Sequence, residues 1–551
     1  MTLRSPWRAL AGALVLALPA QTQTEVLVAT GDSFPGFGVV DEVLDLAIDD
    51  QGQWLAVVQS GFQHALIHDG VLIAQHGDAL QGAGKVFTSA ACLGFDDQGG
   101  FAWIARHPSI AGVPATGVYH GLEKVLESGD LMVLPGVPPG TYYDGFLSLE
   151  VEPSGSLLVV ANGLNPSVSG FWDEVLLRLT PQVGGGWSPS MVYGSGQLLP
   201  GATDLLHDLT DHAHGMQANS HGQLLSFLGF QATGDAIWLD LLPVASTGGL
   251  TPILGRTWQV LDRMPMALND TGSYAFGGLL TGDVLTHELL VKNGSKVVQQ
   301  GDMLAVTTPY QLDDLGLGGF APSPLYLSDT STLFWHGSWS DPDPNRDSAI
   351  FADLQPVVRE SHTWIDGATV TELTGFDFTV DRPVFAVTSD GQQLAFRATL
   401  SDGRTGAFRV HPFGSLTTLP GCVPNAGGLT ILGGAPKLGG LAMAKVTAPQ
   451  TDGVYPILFA SAAPNPDPCG TAVPGLGEVL IDLSPGSLLT IFPTGFPAVF
   501  GITFLQLGVL PNDPTLFGQT VYLQALWADL TGVSPTEPLR LTEGIAVTVG
   551  H

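Results

Sequence analysis

The chain has 551 residues, of which 19 are Lys or Arg and 51 are Asp or Glu, so its formal net charge is −32. Phosphate backbones and anionic lipids repel a chain this acidic, which argues against nucleic acid as a partner. Only 13% of the residues are charged, whereas 71 are Gly and 40 are Pro. This composition is too hydrophobic for disorder and predicts folded β structure with many turns. The length predicts at least two domains.

The N-terminus resembles a secretory signal in its order of charge, apolar run and small residue. Arg4 and Arg8 precede the apolar run 9–18, and Ala20 follows as a small residue at a cleavage site. We therefore expect residues 1–20 to be a signal peptide of a bacterial protein that is secreted or displayed on the cell surface, with the periplasm as the alternative. No later stretch approaches the ~18 apolar residues of a membrane-spanning helix, so no transmembrane segment is predicted.

A turn of the form Asp-x-Gly recurs along the first three quarters of the chain. Self-similarity at a period of roughly fifty to sixty residues is typical of stacked or circular arrays. Gly-Asp pairs accompany the turns, as at Gly77-Asp78 and Gly301-Asp302. Seven units can be counted, and the turn glycine or its replacement falls at Gly52, Gly99, Gly155, Gly222, Gly272, Ser331 and Gly391.

Each unit contains four short apolar runs separated by tight turns, which is typical of one antiparallel sheet. The seventh unit is one strand short, while residues 25–30 supply a spare strand just after the signal. Pairing the two would close a ring and remove two exposed sheet edges. Residues 21–411 are therefore predicted to be a seven-bladed β-propeller closed by the N-terminal strand, with a linear solenoid as the alternative.

Residues 412–551 lose the repeat and alternate short strand patterns with Pro- and Gly-rich punctuation. This pattern predicts a C-terminal β-sandwich-like domain. Cys422 and Cys469 both lie in this region, and an exported protein meets oxidising conditions, so a disulfide between them is predicted. Cys92 lies in an apolar stretch and is predicted to be a buried small hydrophobic residue.

One copy of the repeat carries a recognisable signature. Residues 269–276 read Asn-Asp-Thr-Gly-Ser-Tyr-Ala-Phe. Residues 25 to about 410 thereby resemble bacterial exported proteins of the choice-of-anchor tandem-repeat type with an NxxGxxAF signature. That resemblance implies export and surface display, with no established enzymatic activity and no catalytic residues to carry over. The C-terminal region resembles terminal modules of exported proteins, which implies an accessory or anchoring role.

A His- and Asp-rich segment is the first candidate metal site. Imidazole and carboxylate groups are ligands for zinc or similar cations. The segment matches no standard metal signature, so a solvated connection between strands is the alternative. The candidate ligands are Asp204, His207, Asp208, His212 and His214, with Asp211 and His221 nearby.

Alternating oxygen-bearing residues form a second candidate metal site, and calcium is the cation that such a pattern allows. The segment lacks the Gly and the bidentate Glu of a calcium loop and contains Arg346, so a Pro-stiffened acidic turn is the alternative. The candidate ligands are Asp341, Asp343, Asn345 and Asp347.

The turn aspartates Asp50, Asp97, Asp270 and Asp390 are predicted to cap their turns, because seven near-copies of a residue indicate a scaffold. The main functional prediction is an exported, non-enzymatic surface or matrix protein that binds a protein or polysaccharide through propeller loops. A propeller hydrolase or lyase using the His/Asp cluster at residues 204–221 is the first alternative. A calcium-dependent carbohydrate binder is the second.

Overall fold

The computed structural model describes residues 24–80, 86–110, 113–165, 171–209, 215–317, 323–373 and 385–412, and shorter stretches thereafter. Those later stretches are 414–419, 422, 425, 428–432, 441–447, 454–467, 470–473, 477–484, 487–493, 502–509, 520–529 and 539–549. The predicted signal peptide at residues 1–20 lies outside them, as do Asp211, His212, His214 and Cys469.

The predicted all-β class is confirmed. Residues Glu25–Arg409 form one compact unit. Its described strands build seven antiparallel sheets of four to six strands and a two-stranded hairpin. The hairpin consists of β2 and β3, and β1 belongs to the last sheet. The first three strands are β1 (Glu25–Ala29), β2 (Ser33–Phe34) and β3 (Gly38–Val39).

Three four-stranded sheets follow in chain order, and we number them sheets 1 to 3. Sheet 1 is β4 (Glu42–Ile48), β5 (Trp54–Ser60), β6 (Gln63–His68) and β7 (Val71–Gln75). Sheet 2 is β8 (Ser89–Phe95), β9 (Phe101–Ile110), β10 (Val113–His120) and β11 (Glu123–Glu127). Sheet 3 is β12 (Tyr142–Val151), β13 (Leu157–Leu164), β14 (Phe171–Pro181) and β15 (Trp187–Gly194).

In each of sheets 4 to 7 the first strand is divided into two pieces. Both pieces pair with the strand that follows them in the sheet, which is β18, β23, β28 or β34. Sheet 4 is β16 (Leu206–Leu209), β17 (Met216–Ala218), β18 (Leu224–Phe230), β19 (Gly234–Leu239) and β20 (Leu242–Ser246). Sheet 5 is β21 (Trp258–Val260), β22 (Met266–Leu268), β23 (Tyr274–Leu280), β24 (Glu288–Lys292) and β25 (Ser295–Gln299), with a 3-10 helix at Val284–Thr286. Sheet 6 is β26 (Leu312–Asp314), β27 (Tyr326–Leu327), β28 (Leu333–Trp339), β29 (Ser348–Ala352) and β30 (Gln355–Arg359). Sheet 7 is β31 (Trp364–Ile365), β32 (Ala368–Glu372), β33 (Phe385–Val387), β34 (Leu394–Leu400) and β35 (Thr405–Val410), with β1.

The N-terminal strand pairs with the last repeat, as its sequence predicts. β1 runs antiparallel to β35, with Glu25 opposite Arg409 and Ala29 opposite Gly406. The N–H of Thr30 continues the ladder by donating to the carbonyl oxygen of Thr405 at 2.8 Å. Val28 is fully buried in this pairing. The strand that sheet 7 lacks in its own repeat is thus supplied from the other end of the unit.

The recurring turn has the same backbone bond in all seven sheets. The N–H of the turn glycine donates to the carbonyl oxygen three residues earlier, as Gly52 does to Asp49 at 3.0 Å. Gly52 has a φ of 81°, and Ser331, which replaces glycine in sheet 6, has a φ of 62°. We call the acceptor the turn-entry residue. In sheets 1 to 7 it is Asp49, Asp96, Glu152, Asn219, Asn269, Ser328 and Thr388.

The predicted turn caps are wrong by one residue in three of the four turns. Asp49, and not Asp50, accepts the N–H groups of the turn, with its Oδ1 at 2.9 Å from Gln51 N and 2.7 Å from Gln53 N. Asp96 and Asn269 take the same role before Asp97 and Asp270. Asp390 does cap locally, accepting the Gln392 N–H at 2.8 Å.

Asp50 and Asp270 instead join the turns of neighbouring sheets. Asp50 Oδ1 accepts the N–H of Ser389 at 2.6 Å, which links sheet 1 to sheet 7. Asp270 Oδ1 accepts the N–H of Ser220 at 2.7 Å, which links sheet 5 to sheet 4. Asp329 Oδ1 accepts the N–H of Asp270 at 3.1 Å, which links sheet 6 to sheet 5. The repeated acid therefore contributes to packing between sheets.

Buried polar groups tie successive sheets together away from the turns. A buried or half-buried carboxylate of one sheet accepts a leucine N–H from the first-strand region of the next, which satisfies a backbone donor that packing hides from water. These bonds are Glu174 to Leu209 (2.7 Å), Glu288 to Leu315 (2.6 Å) and Glu360 to Leu373 (2.9 Å). Arg397 Nη2 of sheet 7 donates to Glu42 of sheet 1 at 2.6 Å.

The C-terminal residues from Val410 group in a second compact unit. One sheet has the order β36-β45-β44-β39-β42, a second has β37-β38-β43, and β40 pairs with β41. Both larger sheets contribute to one core that includes Leu429, Ala444, Leu458 and Trp527, an arrangement that fits a β-sandwich. The strands are β36 (Gly414–Leu419), β37 (Gly428–Leu432), β38 (Leu441–Thr447), β39 (Val454–Ser461), β40 (Thr471–Val473), β41 (Gly477–Val479), β42 (Leu488–Pro493), β43 (Ile502–Val509), β44 (Thr520–Asp529) and β45 (Leu539–Val549).

Two of the three cysteines, Cys92 and Cys422, lie within the described residues. Because Cys469 lies outside the described residues, the disulfide with Cys422 stays a prediction. Cys92 is half-buried, and its Sγ lies 3.9 Å from the carbonyl oxygen of Leu147. Within the described ranges, no helix has the length and apolar character needed to cross a membrane.

Candidate active site

The first strands of successive sheets lie side by side. β4 lies against β8 and β33, β12 lies against β8 and β17, and β22 lies against β17 and β27. The rings of Tyr326 in β27 and Phe385 in β33 have centroids 5.4 Å apart. Side chains from the first strands of different sheets can therefore lie close together, which makes them candidates for a shared site.

One position in these strands combines small and large residues. It lies two residues before the turn-entry residue, and we call it the inner position. In sheets 1 to 7 it is occupied by Ala47, Gly94, Glu150, Gln217, Ala267, Tyr326 and Ala386. The three large polar residues of sheets 3, 4 and 6 stand where the other four repeats have Ala or Gly.

Glu150 is the most perturbed carboxyl group at the inner position. Its side chain lies deep in the unit but keeps some accessible surface, and its Oε2 accepts a hydrogen bond from Gln217 Nε2 at 3.2 Å. Burial, followed by the charge of Glu152, raises the pKa of Glu150 to about 8. Glu152 itself is held by Arg178 at 2.7 Å. Glu150 therefore carries its proton at neutral pH.

Tyr326 lies within electrostatic reach of both Glu150 and a second carboxylate. Burial raises the pKa of the Tyr326 phenol, and the charges of Asp45 and Glu150 raise it further. Asp45 lies in β4, and its Oδ1 accepts the N–H of Leu46 at 2.8 Å. Four sheets thus contribute to one group, which we call the inner site and define as Asp45, Glu150, Gln217 and Tyr326.

The inner site has the chemistry of an acid–base centre. A protonated carboxyl group can donate a proton, a second carboxylate can accept one, and a neutral phenol can donate a hydrogen bond. A residue whose pKa is shifted by burial within a cavity is a recognised indicator of function. In the described ranges, no three His, Cys, Asp or Glu side chains are grouped closely enough to hold a metal ion.

Acidic groups also gather on the turn side of the unit. Burial raises the pKa of Asp97, and the charges of Asp270, Asp50 and Asp329 raise it further. Burial also raises the pKa of Asp329, and the charges of Asp270 and Asp50 raise it further. Residues from sheets 1, 2, 5 and 6 therefore lie within electrostatic reach of one another. An anion that approached this face would meet a repulsive potential.

The described members of the predicted His/Asp cluster are not brought together. Asp204 accepts the N–H groups of Leu205 at 2.8 Å, of Thr233 at 3.1 Å and of Ala232. These backbone bonds, that of Ala232 foremost, lower its pKa. His207 and Asp208 are exposed neighbours in β16, at an irregularity of its pairing with β18. His221 is exposed in the turn at the other end of β18 from Asp204. Asp211, His212 and His214 lie outside the described residues.

The predicted calcium ligands have protein partners. Arg346 Nε lies 3.2 Å from Asp341 Oδ2 and 3.6 Å from Asp343 Oδ2. Asp341 Oδ1 accepts the N–H of Asp343 at 3.0 Å, and Asp343 Oδ1 accepts that of Asn345 at 3.2 Å. Burial raises the pKa of Asp347, whose N–H donates to Glu360 Oε2 at 3.2 Å. The segment is organised as an acidic turn around Arg346.

Sequence reasoning missed the inner site. Asp45, Glu150, Gln217 and Tyr326 belong to no motif, and the four lie far apart along the chain. A signal for three of them was present, since an alignment on the turn glycines shows Glu, Gln and Tyr where four repeats have Ala or Gly. Polar residues that break a repeat's small-residue pattern are candidates for function.

Comparison with known proteins gives only distant likenesses. No family model matches the chain, and no curated protein matches it. Similar solved structures include the N-terminal domain of Nup159, at 10% identity, covering 70% of this chain and 94% of that one, with a TM-score of 0.26. An alpha-L-arabinofuranosidase from Lactobacillus brevis is 11% identical, covering 62% of this chain and 98% of that one, with a TM-score of 0.22. The polysaccharide lyase Uly1 is 11% identical, covering 47% of this chain and 58% of the lyase, with a TM-score of 0.22.

These comparisons correct the main functional prediction. The sequence predicts a non-enzymatic surface or matrix protein, whereas the similar structures include a glycoside hydrolase and a polysaccharide lyase. That prediction is therefore withdrawn. At such identities and TM-scores the likenesses assign no activity or substrate to this chain, and the case for an enzyme depends on the geometry of its own residues.

Proposed function

We propose that Glu25–Arg409 is a closed seven-bladed β-propeller, with the seven sheets as blades and β1 as the strand that completes the last one. The pairing of β1 with β35, the Asp50–Ser389 hydrogen bond and the Arg397–Glu42 ion pair support this proposal. All three join the first and last repeats. The inner position then faces a central channel. We also propose that the protein is exported, on the basis of residues 1–20 alone.

The propeller is proposed to be a hydrolase whose catalytic centre is the inner site. The observation that carries this proposal is Glu150, which is deep, bonded to Gln217 and protonated at neutral pH. Cleavage of a C–O bond in an acetal requires a proton on the departing oxygen, and a raised-pKa carboxyl group supplies it. Glu150 is assigned as the general acid, Asp45 as the second carboxylate, and Tyr326 as a hydrogen-bond donor to substrate.

The charge distribution favours an uncharged glycoside as the substrate class. The acidic turn face and the net charge of −32 disfavour a polyanion such as a uronate polymer. Elimination by a lyase would need a strong base, and the raised pKa of Tyr326 keeps its phenol protonated and unsuited to that role. Hydrolysis of a neutral glycosidic linkage is therefore favoured over β-elimination.

The test compares wild type, E150Q and the control E123Q, whose exposed carboxylate lies at the start of β11. Each is assayed on neutral oligosaccharides and on aryl glycosides of the same sugars. We expect E150Q to lose at least about 100-fold in kcat/KM on oligosaccharides, whose leaving group needs a proton, and less on aryl glycosides. If E150Q cleaves oligosaccharides as fast as wild type, the assignment is contradicted. It is also contradicted if the wild-type protein cleaves only uronate polymers.

A further inference from the structure

A second group of reactive side chains lies in the break between the two pieces of the first strand in sheet 6. β26 ends at Asp314 and β27 begins at Tyr326, and both pair with β28. Phe334 of β28 is opposite Tyr326, and Ser338 is opposite Asp314. His336 lies between these two paired positions, and no described first-strand residue pairs with it. Its side chain can therefore meet Ser323, which precedes β27.

The repeats show that His336 is unusual at its position. Eight residues after the turn-entry residue, sheets 1 to 5 have Val57, Ile104, Val160, Phe227 and Gly277. In sheet 7, whose turn is one residue longer, the equivalent residue is Arg397, which pairs with Glu42 of the neighbouring sheet. A histidine where five repeats have an apolar residue or Gly is not needed for the fold, which suggests a functional role.

His336 is close to a hydroxyl group. Ser323 Oγ lies 3.5 Å from His336 Nδ1, a distance typical of a nucleophile and its base before substrate binds. His336 Nε2 is inaccessible to solvent and has no hydrogen-bond partner among the described residues. A proton on Nε2 leaves Nδ1 as the acceptor for the Ser323 hydroxyl proton.

The backbone holds Ser323 against the histidine. The N–H of Ser323 donates to the carbonyl oxygen of Gly316 at 2.8 Å. Gly316 has a φ of 68°, and a Cβ at this position would lie 2.7 Å from Ser323 Oγ. Any side chain at 316 would therefore displace the hydroxyl, so glycine is required for the contact.

Asp314 supplies negative charge beside the imidazole. Its charge opposes the lowering of the His336 pKa that burial causes. Asp314 Oδ1 accepts the N–H of Gly316 at 2.6 Å, which fixes the carboxylate. Burial and the Asp314 charge raise the pKa of the neighbouring Glu288 to about 7. An imidazolium formed at His336 would be stabilised by that charge.

We propose that Ser323 and His336 form a nucleophile–base pair for acyl transfer, with Asp314 as the carboxylate that stabilises the charged histidine. Ser323 Oγ bonds to the carbonyl carbon of an ester while its proton passes to His336 Nδ1. The bond from that carbon to the alkoxy oxygen breaks, and the leaving oxygen takes the proton from His336. Water then cleaves the acyl-serine and restores the hydroxyl. The proposal does not depend on Glu150.

Diisopropyl fluorophosphate is the probe for this pair, because it phosphorylates activated serines with loss of fluoride. The folded full-length protein is treated at pH 7 to 8, and modified peptides are identified by mass spectrometry. We expect modification of Ser323 in wild type, none at that site in S323A, and a labelling rate at least about 100-fold lower in H336Q. The control S338A alters a serine in β28, the strand that also carries His336. The Ser338 hydroxyl donates to Asp313 at 2.8 Å. We expect S338A to be labelled at Ser323 at the wild-type rate.

Three results would overturn the proposal: no modification of Ser323 in folded wild type, an unchanged rate in H336Q, or modification at Ser338 instead. Circular dichroism of each variant separates loss of folding from loss of reactivity. Because labelling is read at a named serine, failure here would leave the assignment of Glu150 untouched. Failure of the glycoside assay would likewise leave the labelling result in place.

Discussion

Replacing Glu150 with Gln tests the protonation state on which the proposed chemistry depends. The amide of Gln has the shape of a protonated carboxyl group and can keep the bond from Gln217, which is 3.2 Å long in the wild type. An acid whose pKa is raised in the folded state stabilises the fold fully at low pH, and this contribution is lost as the pH rises towards the folded pKa. Gln does not ionise, so E150Q does not lose stability in this way. The variant should therefore become more stable than wild type as the pH increases.

The magnitude follows from the two pKa values of Glu150. Its pKa rises from 4.5 to about 8 on folding, and each pH unit of that interval is worth about 1.4 kcal/mol. Relative to wild type, E150Q should be unchanged in unfolding free energy near pH 4.5 and more stable by up to about 3 kcal/mol at pH 7. Above pH 8 the gain should level off at up to about 5 kcal/mol.

Urea unfolding at pH 4.5, 7 and 9, followed by tryptophan fluorescence and circular dichroism, measures these differences. E123Q, which alters an exposed carboxylate, is the control and should stay within about 0.5 kcal/mol of wild type at each pH. A difference between E150Q and wild type that does not change with pH would refute the reasoning. So would a loss of stability in E150Q above pH 8, which would mean that the ionised carboxylate is the favoured form in the fold.

Two further predictions concern the scaffold. V28A truncates a fully buried side chain of β1 and should lower the unfolding free energy of Glu25–Arg409 by about 2 kcal/mol. The control V71A alters an exposed edge position and should lower it by less than about 0.5 kcal/mol. Equal effects of the two variants in urea unfolding would argue against a structural role for β1. N269A removes a buried amide that donates to the Ser328 carbonyl oxygen at 2.7 Å and accepts the Ser273 N–H at 2.9 Å. It should cost about 2 to 3 kcal/mol, against less than about 0.5 kcal/mol for the exposed N345A, and a loss in N269A as small as in the control would contradict the role of the turn-entry residue.

The sequence predicts the scaffold well because the repeat samples the same local physics seven times. The turn needs a residue with a positive φ, so a recurring glycine marks six of the seven sheets, with Ser331 in its place in sheet 6. The missing strand of the last repeat is visible by counting. The turn caps show the limit of this approach. Asp49 and Asp50 are two adjacent acids, and only the backbone geometry decides which one bonds within the turn and which bonds to a neighbouring sheet.

The inner site could be predicted only in part, because the pKa values of Glu150 and Tyr326 are raised mainly by burial, which the sequence does not show. Alignment of the repeats identifies Glu150 and Tyr326 as exceptions at the inner position, yet nothing in the local sequence states how far either lies from water. Asp45 is less visible still, since it shares no aligned position with them and acts through space on Tyr326. The His-rich segment was conspicuous in composition, but Asp204 and His221 lie at opposite ends of one sheet.

A direct measurement of the Glu150 pKa is the most decisive test of the proposed catalytic centre. Carbon-13 carboxyl NMR of protein labelled at the glutamate side chains, with E150Q used to identify the missing resonance, would follow its titration between pH 3 and pH 10. We predict a midpoint near the raised pKa of about 8. A midpoint near the ordinary value of 4.5 would show that Glu150 is ionised at neutral pH and cannot act as the proton donor.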